Sequence, residues 1–70
     1  MTREEMLLRF GYYCGGIGRL LGDYSYAERW CGRCEELTEV DYMRETTEIQ
    51  GRLVAAGLLG SDEDPYEALR

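Results

Sequence analysis

Met6, Phe10, Tyr13, Ile17 and Leu20 recur at spacings of four and three. That is the period of a helix that turns one face to a core. Leu7, Cys14 and Leu21 widen the face. Thr2-Arg3-Glu4-Glu5 ahead of it has the form of a capping box, in which the hydroxyl accepts from an early helical amide and a glutamate reaches back. Gly22 supplies the residue that closes a helix in the left-handed conformation. The same stretch holds Gly11, Gly15, Gly16 and Gly18, each about 1 kcal/mol less favourable than alanine in a helix interior. Either the helix breaks near Gly15-Gly16, or the glycines let another segment come close. Gly11 with Gly15, and Gly18 with Gly22, lie one turn apart, the spacing of a shallow groove. A phosphate-binding glycine loop would need a preceding strand and a lysine, and neither is present.

The rest of the chain also reads as helix. Ser25 and Glu28 have the spacing of a second capping box, ahead of a stripe made by Ala27, Trp30, Cys31, Cys34 and Leu37. Thr38-Glu39-Val40-Asp41 either starts a third helix or lies inside one long second helix. Val40, Met43, Ile49, Leu53, Val54, Ala56 and Leu58 continue at helical spacings up to Gly60. No alternating β-branched run and no Asn-Gly or Asp-Gly turn argues for a strand. The expected fold is all-α: a helical hairpin plus a third helix, in a single domain over residues 1–60. Residues 61–70 form an acidic tail. Asp64-Pro65-Tyr66-Glu67 carries a cap residue and a proline at the first helical position, so the tail either frays or forms a short last helix with Tyr66 and Leu69 on the core.

Seventy residues make one small domain, whose core alone supplies roughly 3–5 kcal/mol. A flat or grooved binding face suits this size better than a deep substrate pocket. The net charge is −6, which disfavours direct contact with nucleic-acid phosphates or an anionic membrane and suits a basic partner. All eight basic residues are arginine, and histidine and lysine are absent. That excludes imidazole acid–base chemistry and a lysine nucleophile. No apolar run approaches the ~20 residues of a membrane helix. Glu4 and Glu5 stand where a signal peptide carries bases. The expectation is a cytoplasmic protein with reduced thiols.

The three cysteines are the candidates for chemistry. If the first two helices form an antiparallel hairpin turning at Gly22–Ser25, then Cys14 falls opposite Arg33, between Cys31 and Cys34. Ile17 then meets Trp30, and Phe10 meets Leu37. The three sulfurs would gather in one seam. Three readings follow. In the first, they are small side chains that let two helices pack, since cysteine is among the most buried residue types. Cys14, Cys31 and Cys34 could instead bind zinc, with a carboxylate such as Asp23 or Glu35 as the fourth ligand. Third, Trp30-Cys31-Gly32-Arg33-Cys34 resembles the thioredoxin active-site motif over these five residues, which implies thiol redox chemistry at Cys31 and Cys34. Arg33 replaces the usual proline, and the motif lacks the strand expected before it.

Two further patterns bear on partners. Asp41, Glu45 and Glu48 step along one helical side, as do Glu28, Glu35 and Glu39. They are either a solvated face or a recognition surface for an arginine- or lysine-rich site, one form of which is a mimic of nucleic-acid phosphates. Six tyrosines exceed what a thin core needs, and Tyr24, Tyr26 and Tyr42 are candidate contact residues. No catalytic set is evident. The expectation is a non-enzymatic interaction protein: a small acidic inhibitor or modulator of a larger host complex, of the phage or mobile-element accessory type. Ile49, Leu53, Val54 and Leu58, which a two-helix hairpin leaves bare, are expected either to fold back as a separate helix or to pack across a homodimer, the second being preferred.

Overall fold

The structure, a computed structural model, describes residues 1–70. It is 71% helical with no strand. Four helices follow in order: α1 (Arg3–Leu21), α2 (Ser25–Trp30), α3 (Glu39–Ala55) and α4 (Pro65–Leu69), with a single 3₁₀ turn at Cys34–Glu36 between α2 and α3. α1 is unbroken. The Thr2 hydroxyl accepts from the Glu5 amide at 3.1 Å, and Gly22 ends the helix at φ 68°. Met6, Phe10, Tyr13, Cys14 and Ile17 are buried along it, whereas Leu20 is exposed. The glycines divide into two kinds. A Cβ on Gly16 would come within 2.5 Å of Leu69 Cδ2, and one on Gly18 within 2.5 Å of Tyr24 Cε1. Those two admit neighbouring side chains. Gly11 and Gly15 have nothing over them.

The long hairpin does not form. α2 stops after six residues, because Cys31 turns to extended backbone and Gly32 takes φ 71°, a conformation favourable for glycine alone. Ser25 is the first residue of α2 rather than its cap. Tyr24 holds the cap position without a side-chain bond, and Asp23 Oδ1 accepts from the Ser25 amide at 2.9 Å. Thr38 begins α3 with a complete capping box. Its hydroxyl accepts from the Asp41 amide at 3.1 Å, and Asp41 Oδ2 accepts from the Thr38 amide at 3.2 Å. Helices two and three are therefore separate, and α3 packs on α1. Its buried positions are Tyr42, Glu45, Ile49 and Leu53. Val40, Met43 and Leu58, expected on that stripe, are exposed. Ile49 and Leu53 are covered by the chain's own helices and Val54 is partly buried, as in the fold-back alternative, while Leu58 stays exposed.

The tail folds onto the rest. Asp64 Oδ1 accepts from the Tyr66 amide at 3.0 Å, Pro65 occupies the first turn, and Tyr66 and Leu69 are buried. Leu69 lies over Gly16. The Arg9 guanidinium sits 4.4 Å from the Tyr66 ring centre and pairs with Asp64 at 3.3 Å. Residues 61–70 thus share one core with residues 1–60.

Candidate interaction surface

The cysteines do not assemble. Cys14 is buried on α1, while Cys31 and Cys34 are exposed in the turn after α2. No group of three or more Cys, His, Asp or Glu side chains is placed to hold a metal ion. The proposed zinc set of Cys14, Cys31 and Cys34 fails because α2 ends one residue before Cys31. The thioredoxin-like motif follows a helix rather than a strand. Trp30 meets Phe10 edge-on, ring centres 5.8 Å apart, in place of the pairings that a long hairpin would impose. Burial, and after it the charge of Glu45, pushes the Cys14 thiol up to about 11, so it stays protonated at neutral pH.

The acid row on α3 is not one exposed face. Glu45 is 2% exposed, and Arg29 Nη1 on α2 donates to both of its oxygens at 2.9 Å. Arg44 Nε lies 3.7 Å away. The row borders the core stripe, and at Glu45 it tips inside. Asp41 is engaged by its cap and by Arg44. The Thr38 bonds, ahead of Arg44, hold its carboxyl below the usual range. Glu48 stays exposed. Glu28, Glu35 and Glu39 are also exposed, but on three different elements: α2, the 3₁₀ turn and α3.

The tyrosine group divides in the same way. Tyr26 and Tyr42 are core residues, a correction to their expected contact role. The Tyr42 and Tyr13 hydroxyls lie 3.3 Å apart, and burial raises the Tyr26 phenol above its ordinary value. Tyr24 is 57% exposed, resting its ring edge on Gly18.

What remains outside is charge without internal partners. Arg9, Arg29, Arg33, Arg44, Arg52 and Arg70 are each ion-paired. Arg3 donates to the backbone carbonyls of Leu37 and Glu35, tying the start of α1 to the segment that leads into α3. No arginine pairs with Glu4, Glu28, Glu35, Glu39 or Glu48.

Where α1 and α3 both begin, a cleft of about 370 Å³ opens between Met1, Met6, Tyr42 and Met43, with Glu39 and Arg3 at its edge. All three methionines of the chain line it. Met1 and Met43 are largely exposed, and so is Val40 on the adjoining turn of α3. Sequence reasoning placed Val40 and Met43 in the core, read Met6 only as a core residue of α1, and did not single out Met1. Angular position was the available signal: at 3.6 residues per turn, Val40 and Met43 point well away from the side shared by Tyr42, Ile49 and Leu53. No helix is long and apolar enough to cross a membrane. No protein-family model, curated protein or solved structure matches the chain.

Proposed function

We propose that the chain is a non-enzymatic interaction protein that docks a basic, apolar-anchored segment of a larger protein in the methionine cleft. The observation that carries this reading is the convergence of all three methionines on one open cleft beside unpaired Glu39. Thioethers on flexible, unbranched stems adapt to the shape of an incoming side chain. Glu39 is the carboxylate at the edge of this apolar floor, and Glu35 stands nearby on the turn whose backbone Arg3 holds. An amphipathic helix with arginine or lysine flanking its apolar stripe complements both features. Glu28 and Glu48 lie apart from the cleft on α2 and α3, where they strengthen the long-range field that steers a basic partner. Occupying such a segment would block whatever the larger protein does with it, which is how a small acidic inhibitor or modulator acts.

The test is capture from the native host followed by titration of the purified partner. Val40→Asp with Met43→Asp is expected to abolish capture. Glu35→Gln with Glu39→Gln should weaken binding and flatten its dependence on salt. A partner retained equally by wild type and both double variants would overturn the reading, and so would failure of the wild type to retain a partner.

A further inference from the structure

The side of α1 turned away from the core carries a second, separate surface. Glu4, Leu8, Gly11, Tyr12, Gly15 and Arg19 are all exposed and fall on one stripe of the helix, at steps of three and four. Between this stripe and α4 runs an open groove of about 480 Å³, walled by Leu7, Leu8, Tyr12 and Leu69. Leu8 is 53% exposed. Arg19 is the one arginine with neither an ion pair nor a side-chain hydrogen bond, and Glu4 is likewise without a partner. Gly11 and Gly15 admit nothing from their own chain, although each weakens the helix.

We infer that this groove receives a second copy of the same chain, the two α1 helices packing antiparallel about a two-fold axis. Charge sets the register. Placing Glu4 of one copy opposite Arg19 of the other brings Leu8 opposite Gly15 and Tyr12 opposite Gly11. Each large side chain then faces a glycine, each acid faces a base, and the two-fold axis repeats every pair. A parallel arrangement would set Glu4 against Glu4, Arg19 against Arg19, and Leu8 against Leu8. It therefore loses on both charge and shape. The stripe is about 24 Å long at 1.5 Å per residue, a small interface, so the dimer is weak and depends on concentration. It leaves both methionine clefts free and sets them at opposite ends of the pair, an arrangement that favours a bivalent partner.

Sedimentation equilibrium of the full chain at low salt, from micromolar to millimolar, tests this. The mass should rise from 8.1 kDa towards twice that value. Glu4→Arg and Arg19→Glu should each weaken association at least tenfold, and the double variant should recover it. Gly15→Ala should weaken association while raising the melting temperature, which separates loss of the interface from loss of the fold. The cleft variant Val40→Asp with Met43→Asp should dimerise like wild type, so this test and that of the cleft can fail separately. A chain that stays monomeric, a dimer indifferent to these changes, or a double swap that fails to recover would each overturn the inference.

Discussion

Two regions of this molecule invert the ordinary division between inside and outside, in opposite directions. At the seam of α2 and α3, a carboxylate is inside: Glu45 is buried and held by Arg29, with the Cys14 thiol close enough to feel its charge. At the end where α1 and α3 begin, apolar side chains are outside: Met1, Val40 and Met43 are all more than 60% exposed. The first departure is resolved within the chain, since Arg29 supplies the counter-charge and the hydrogen bonds. The second is not resolved within the chain. A charge brought inside with its partner holds elements together, whereas an apolar cleft left open is available to something else.

The comparison can be broken most sharply with thiol chemistry. Cys31 and Cys34, outside the seam, should react promptly with a thiol-specific reagent in the native protein. Cys14 should react orders of magnitude more slowly and join them only in denaturant, because the thiolate is the reactive form. Three thiols reacting alike would place Cys14 at the surface. Next in size is Arg29→Met, which leaves Glu45 without its main partner. We expect a loss on the order of 2–3 kcal/mol in urea unfolding, below the ~3–5 kcal/mol of a fully buried pair, because Arg29 is half-exposed and Arg44 remains nearby. A loss under about 0.5 kcal/mol would mean that water already serves Glu45.

A smaller effect concerns Asp23, which joins the start of α2 to α3 through Arg52. Hydrogen bonds from Ser25, and after them Arg52, hold its carboxyl down to about 2, against about 3.9 in an unfolded chain. Its contribution is therefore complete above pH ~4 and is lost as pH falls towards 2. Asp23→Asn should remove that part of the acid dependence when stability is followed between pH 5 and 2. The smallest effect belongs to the open cleft: Met43→Glu should change stability by no more than about 0.5 kcal/mol, measured in the same urea unfolding.

The amino-acid pattern reveals the all-α class, the α1 core face from Met6 to Ile17, the Thr38 cap and the Asp64-Pro65 start of α4, because each rests on local spacing or capping chemistry. It misleads at Cys31–Leu37. Apolar spacing there continues the helical period, while Gly32 in a left-handed conformation ends the helix, and spacing alone does not say which one wins. The tertiary consequence is large. The misplaced hairpin gathers the cysteines, leaves Ile49 and Leu53 bare and makes Glu45 look exposed. Glu45 sits three residues after Tyr42 and four before Ile49, which is a core position by period. Reading charge as surface hid it. The cleft was missed for the converse reason, that Val40 and Met43 were read as core because they are apolar, although their angular position sets them off the core side.

The most direct test of the cleft uses the methionine methyl groups, since all three line it. A ¹³C-methyl spectrum of the full chain should show three signals, from Met1, Met6 and Met43. Titration with a synthetic helical peptide of leucine and lysine should shift all three, and adding salt should reverse the shifts. Methyl signals that stay fixed while the peptide binds elsewhere, or no binding at all at low salt, would contradict the account.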